Sequence, residues 1–323
     1  MNYVVVDFEW NQRMFARNPA DNRIPFEIIE IGAVLLDEDM NEIDRFSQTC
    51  KPKIYKKLHY KTREITGISQ KELSSSDPFP YVVVDFLLWC GDDPIFCTWG
   101  NGDLVELQRN LKYYHLDDLL EGPITYYNVQ KMFRLQFDPE HKAESLEAAT
   151  DFFRLPKKEP FHRAVNDAAY TAQILKRLDP ELVERQYSVD YYQNPKTRED
   201  EIHLVYDDYY KYISREFSTR EELMADREVR AVRCFKCGRT ARKKLNWFVG
   251  KGKSCYCLCE CREHGYIRGR IRIKTTDAGN RMFAIKTIRL IDEEEAGKIR
   301  EMKQEVIDKR WERRHRGTAA QEK

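Results

Sequence analysis

The run Tyr3-Val4-Val5-Val6-Asp7-Phe8-Glu9 constrains this chain more than any other stretch. Up to residue 6 it is apolar, rich in β-branched residues and without helical period, which predicts a buried strand. Two acids then enter the same strand. Alternation puts Asp7 and Glu9 on one face and turns Phe8 into the core. Adjacent carboxylates repel, and one tends to protonate unless a divalent cation removes the penalty. Alone, Asp-x-Glu is also what a solvated strand end looks like.

The following segments predict what surrounds that strand. Residues 27–36 and 41–51 read as two further strands joined by the turn Asp37-Glu38-Asp39. Residues 79–91 read as a helix, 95–98 as a fourth strand, and 103–114 as a helix with an apolar stripe at 104, 107 and 111. Ser145 caps a helix over 146–153, and 163–178 is a long amphipathic helix stopped by Pro180. Three neighbouring strands followed by alternating helices and strands predict an α/β domain over residues 1–180, a mixed sheet with flanking helices. Residues 181–229 are polar and tyrosine-rich and read as a connection. Residues 230–291 predict a small cysteine-rich β module with strands near 245–249, 253–258, 266–275 and 281–289. Residues 292–323 read as a charged helix, apolar at 299, 302, 306 and 307, with a loose tail from Gly317.

Three more residues join the first two acids. Asp103 opens a helix after a strand and a glycine-flanked turn, where an N-cap role is the simple explanation. His162 precedes a helix, and Asp167 lies in that helix's first turns. Taken together, Asp7-x-Glu9, the strand Glu27-Ile28-Ile29-Glu30-Ile31-Gly32-Ala33, Asp103 and His162-x4-Asp167 resemble the DEDDh exonucleases of the ribonuclease H-like superfamily. The nearest flavour is the KapD-like and sporulation-inhibitor group. The resemblance covers about residues 1–180. One neighbour departs from the pattern: Asn166 stands where an Asp often precedes the final acid.

The resemblance implies a 3′→5′ exonuclease that releases nucleoside 5′-monophosphates from single-stranded RNA or DNA, with RNA favoured. It implies two Mg²⁺ or Mn²⁺ ions on Asp7, Glu9, Asp103 and Asp167, with His162 as general base. Oxygen ligands suit such hard cations. It also implies that Phe8, Thr66, Gly67 and Ile68 lie on the substrate side. The competing expectation is a regulatory factor of KapD type that binds nucleic acid or protein with little catalysis.

Six of nine cysteines crowd between 234 and 261, a density that points to metal. Cys234-x2-Cys237 reads as one half of a zinc knuckle. Cys255, Cys257, Cys259 and Cys261 alternate along a strand and share a face. The expected structural zinc takes Cys234, Cys237, Cys257 and Cys261, with Cys259 and then His264 as the next candidates, in a zinc-ribbon-like arrangement. Buried free thiols or a redox disulfide are the alternatives.

Charge separates the two ends. The net charge is +1, yet residues 230–323 hold 26 Lys and Arg against 12 Asp and Glu. An acidic front suits a carboxylate-lined metal site, and a basic back suits a polyanionic partner; mutual attraction of the two halves is the simpler reading. No stretch is long and apolar enough to span a membrane. The absence of a signal-like N-terminus leads us to expect a cytoplasmic protein.

Overall fold

The computed structural model describes residues 2–14, 24–137 and 144–319, and divides into two compact units, Met1–Tyr192 and Gln193–Lys323. The first contains β1 (Tyr3–Gln12), β2 (Phe26–Leu36), β3 (Glu42–Lys51), α1 (Tyr60–Thr66), α2 (Gln70–Ser75), β4 (Asp77–Pro78), α3 (Phe79–Cys90) and β5 (Ile95–Thr98). It continues through α4 (Asp103–Tyr113), β6 (Thr125–Asn128), α5 (Val129–Phe137), α6 (Leu146–Phe152), α7 (Ala164–Leu175), α8 (Pro180–Arg185) and β7 (Ser188–Val189).

Its sheet runs in the order β4-β3-β2-β1-β5-β6-β7 and is mixed, as expected. β2 pairs antiparallel with β1 and β3, while β5 runs parallel to β1 and β6 parallel to β5. The apolar start of β1 therefore lies at the centre, covered on both sides. Val4, Val6 and Phe8 pack with Val82 and Phe86 of α3 and Leu104 and Leu107 of α4. Val5 packs on the other side with Met132 of α5 and Ala168 and Ile174 of α7. Asp7 and Glu9 follow Val5 by the strand's two-residue period. The α7 face of β1 thus changes from apolar to acidic along one strand.

Two local features set the geometry of that face. Asp7 pairs with Gly32, and a Cβ at Gly32 would lie 2.0 Å from the Val165 nitrogen, so only glycine lets α7 come this close. Beyond the Glu9–Glu30 pair the register slips, because Trp10 pairs with Ile28 and leaves Ile29 as the extra residue of a bulge. Ile29 packs instead with Ile68 and Leu73.

The second unit contains β8 (Ile202–Val205), β9 (Tyr209–Ile213), α9 (Arg220–Ala225), α10 (Arg227–Arg230), β10 (Arg242–Val249), β11 (Cys255–Cys261), β12 (Gly265–Thr275), β13 (Met282–Ile291) and α11 (Glu293–Ala319). Its sheet is antiparallel throughout, in the order β10-β11-β12-β13-β9-β8. One face carries Phe248 and Leu258 against Ala296 and Ile299 of α11. The other carries Tyr212, Ile271 and Ala284 against Leu223 of α9 and Val229 of α10.

The division differs from the sequence expectation of a connection over 181–229. β7 completes the first sheet by pairing with β6, and β9 pairs with β13, so the β8–β9 hairpin belongs to the second sheet. In α11, Ile299, Met302 and Val306 face the sheet, whereas Ile307 is exposed. The backbone of 317–319 continues that helix; the rest of the expected tail, 320–323, lies outside the described residues. Among the described residues no helix is long and apolar enough to cross a membrane.

Candidate active site and metal centres

β1, α4 and α7 bring five of the sequence-predicted residues to one place. Asp7 and Glu9 occupy the end of β1 on the α7 face. Asp103 is the first residue of α4, placed by the turn after β5 at the carboxyl end of a strand parallel to β1. Asp167 sits in the first turn of α7. Ligand atoms of Glu9, His162 and Asp167 lie within 4.8 Å of one another. Asp103 and Asp167 are buried, Asp7 and Glu9 half-buried, and His162 exposed.

This density of acid is costly without a counter-charge. Burial, then the charges of Asp103, Glu9, Asp167 and Glu30, push the Asp7 carboxyl well above its ordinary range. Burial and the neighbouring Asp167, Glu30 and Asp103 carry Glu9 up to about 8, against the pull of Arg163. Asp103 rises to about 7 through burial, although its own backbone N–H and that of Phe8 hold it down in part. Asp167 rises to about 6 through burial, opposed by the His162 N–H and the His162 ring. Every neighbour that raises these values is a carboxylate that a divalent cation would offset. Carboxylate oxygens form a donor set for hard divalent ions, and the imidazole beside them is a group that can exchange a proton near neutrality.

The surrounding scaffold holds the charges in register and was not singled out from the sequence. Glu30, fully buried, accepts from Arg163 Nε at 2.9 Å and from its terminal nitrogen at 2.6 Å, and from the Ala164 N–H at 3.0 Å. Arg163 does not cap α7 with its own side chain, so Glu30 serves that helix start from the neighbouring strand. His162 stands next to Arg163 with φ of 64°, a left-handed backbone unusual for a non-glycine residue. Its N–H donates to Asp167 at 3.1 Å. The same loop is bolted to α7 twice more. Tyr170 Oη donates to the Glu159 carbonyl at 2.7 Å, and Asn166 donates to the Pro160 carbonyl at 2.9 Å. The residue that departs from the family pattern therefore braces the histidine loop. A carboxylate inside the apolar run of β2 was the available sign of Glu30's role.

The expected substrate-side residues divide. Phe8 is 3% exposed and packs edge-on against Phe86. Its side chain belongs to the core, and its N–H is what reaches Asp103. Ile68 is likewise core, against Ile29 and Leu73. The Thr66 hydroxyl is occupied locally, donating to the Thr62 carbonyl and accepting from the Ile68 N–H. Gly67, left-handed at φ of 69°, caps α1 and is the exposed member of the turn.

In the second unit the structure gathers Cys234, Cys237, Cys261 and His264. The Cys237 and Cys261 sulfurs are 3.7 Å apart, and His264 Nδ1 is 3.6 Å from both Cys234 Sγ and Cys261 Sγ. A tetrahedral zinc with Zn–S near 2.3 Å and Zn–N near 2.05 Å would give ligand edges of about 3.8 Å and 3.6 Å. These atoms therefore fit a Cys₃His zinc site. His264 beside it, helped by the Glu263 N–H, draws the Cys261 thiol down to about 6.

Cys257 is not in the group, which corrects the expected ligand set. Sharing a face is not sharing an ion: four residues of strand place Cys257 about 13 Å from Cys261 along β11. The Cys259 thiol beside it and burial push the Cys257 thiol up, the state of a packed, protonated sulfur. Cys255 and Cys259 are also buried away from the group.

Comparison with known proteins agrees with the first unit. Residues 4–175, just over half the chain, match a family described as Exonuclease. Among curated proteins, the chain is 29% identical over 157 residues to a PolC-type DNA polymerase III of Clostridium perfringens, covering 46% of this chain and 10% of that one. It is 25% identical over 181 residues to a probable 3′-5′ exonuclease, KapD, of Bacillus subtilis, covering 54% of this chain and 83% of that one. Among solved structures, the nuclease domain of 3′hExo, a DEDDh family member bound to rAMP, superposes with a TM-score of 0.50 at 20% identity, covering 58% of this chain and 96% of that one. That last likeness is one of fold.

Proposed function

From the premise that this chain belongs to the exonuclease family, we propose that it hydrolyses single-stranded nucleic acid from the 3′ end, RNA in preference to DNA, releasing nucleoside 5′-monophosphates. The observation that carries this reading is the grouping of Glu9, His162 and Asp167 within ligand distance, with the Asp7 and Asp103 carboxyls near enough for their charges to act on the same site. Asp7, Glu9, Asp103 and Asp167 would hold two Mg²⁺ or Mn²⁺ ions, which would supply charge neutralisation at the scissile phosphate and acidify the attacking water.

The chain's own residues then have defined tasks. His162 takes the proton of the attacking water, and its exposure lets the ring return that proton to solvent. The His162 N–H bond to Asp167 couples the position of base and ligand. Glu30 and Arg163 fix the start of α7, so neither Asp167 nor His162 has to be ordered when substrate arrives. The exposed Gly67 turn offers backbone to a terminal nucleotide without a side chain in the way. In the second unit, Cys234, Cys237, Cys261 and His264 hold one structural zinc.

The test is degradation of 5′-labelled RNA and DNA oligomers with Mn²⁺, and with chelator as control. A ladder shortening from the 3′ end, faster for RNA and lost with chelator, is the expected result. Cleavage inside the strand, or metal-independent cleavage, would overturn the assignment.

A further inference from the structure

A cavity of about 360 Å³ in the second unit lies between α10, the stem of the cysteine knuckle and β10. Its cationic lining comes from all three: Arg227 and Arg230 from α10, Arg233 from the stem, and Lys243 from β10. All four side chains are exposed. Like charges collected in a concavity repel one another, so such a lining is favourable only toward an anion.

The acids nearby do not neutralise it. Asp226, the carboxylate of the lining, is engaged by Arg198 and Arg215 at 2.9 Å each and caps α10 with its other oxygen. Glu228 reaches Arg233 only at 3.7 Å. Among the described residues no carboxylate pairs with Arg227, Arg230 or Lys243.

The walls are fixed before any ligand arrives. Trp247 Nε1 donates to the Arg230 carbonyl at 3.0 Å, tying β10 to α10. The Ala241 N–H donates to the Val232 carbonyl at 3.0 Å, and Arg233 bridges to Thr240, closing the stem as a narrow ladder. Cys234 follows Arg233 directly, so the thiol–histidine cluster clamps the far end of the same stem.

We infer that this groove is a second contact for the phosphate backbone of single-stranded nucleic acid, separate from the carboxylate site and shaped by the knuckle. Cations from three walls of an open concavity match successive phosphates of a strand rather than one small anion. The choice of nucleic acid as partner rests on the exonuclease reading.

The experiment measures binding of fluorescein-labelled single-stranded RNA and DNA 15-mers to the full zinc-loaded chain, without added Mg²⁺ or Mn²⁺, over a range of salt. Arg230→Glu and Lys243→Glu are compared with Arg310→Glu, which makes the same charge change on α11. All three positions are exposed, and zinc content checks each preparation. Each groove variant is expected to weaken binding at least tenfold at low salt and to lower the log–log salt slope by about 0.7 per lost phosphate contact. Equal weakening by Arg310→Glu, or no effect of the groove variants, would overturn the inference, the second result pointing to an acidic protein partner instead. Binding to one of RNA or DNA alone identifies the strand the groove serves. Mn²⁺-dependent cleavage is read on the same samples. Cleavage without a groove effect removes this inference only, and a groove effect without cleavage removes the exonuclease reading only.

Discussion

The two ligand clusters are assembled in opposite ways. The carboxylates come from distant stretches of the first unit, and the sheet and α7 hold them in place through contacts that need no ion. The thiols and His264 come from two short segments of the second unit and meet one another at 3.6–3.7 Å. In the first site the fold gathers the charges and a divalent cation would relieve them. In the second, metal ligation would hold the fold together. One site is thereby disposed to chemistry and the other to support.

The largest expected effect separates activity from folding. Asp7→Asn or Asp167→Asn should lower hydrolysis by about 10²–10³-fold, the scale seen when one electrostatic element of a transition state is removed. Without added Mg²⁺ or Mn²⁺, Asp7→Asn should melt no lower than the unmodified chain, because the substitution removes a charge that burial and its neighbours already oppose. Turnover near the unmodified rate would end the carboxylate assignment. His162→Ala should lose about 10²–10⁴-fold in kcat, the range for a general base. A loss confined to KM would make it a binding residue instead.

The thiol cluster can be tested by an opposed pair. Cys261→Ala should release zinc and lower the melting temperature, while Cys257→Ala should keep one zinc per chain. Metal analysis of both proteins decides the corrected ligand set, and loss of zinc from Cys257→Ala as well as from Cys261→Ala would restore the original expectation. Gly32→Ala is the intermediate case: its Cβ would meet the α7 backbone, so it should cost about 1–3 kcal/mol, as overpacking does, and reduce activity by moving Asp167. Denaturant unfolding and turnover measured together would show whether both fall.

The smallest effect is on pH. Glu9, Asp103 and Asp167 are raised to about 8, 7 and 6 in the folded chain, against about 4 when unfolded. Between pH 4 and those values the folded state binds more protons, so this contribution to stability falls as pH rises. Without added Mg²⁺ or Mn²⁺, stability should decline from pH 5 to pH 8 less steeply in Glu9→Gln than in the unmodified chain. Mn²⁺ should flatten both profiles, and identical slopes would show that Glu9 is not strained.

The sequence made the first site legible because strand alternation and helix period act locally. Val5, Asp7 and Glu9 had to share a face, and Asp167 had to lie in the first turns of its helix. Alternation misled in β11, where Cys257 and Cys261 do share a face but the rise of a strand separates them. β8 and β9 stayed hidden for another reason. Ile202-His203-Leu204-Val205 is a short edge strand whose pairing is decided by β9 and, through it, by β13, far along the chain. Glu30 was visible as a carboxylate inside an apolar strand, but its partner Arg163 is 133 positions away, and no local pattern links the two.

The bulge at Ile29 has a consequence for how this protein can vary. Glu30 and Ile28 keep their partners in β1 on either side of it, so removing Ile29 would restore an uninterrupted ladder without inverting any carboxylate. What would be lost is the knob on which Ile68 rests, and with it the anchorage of the Gly67 turn. A single extra residue therefore supports the Gly67 turn while leaving the pairing of the carboxylates on β1 and β2 as it is.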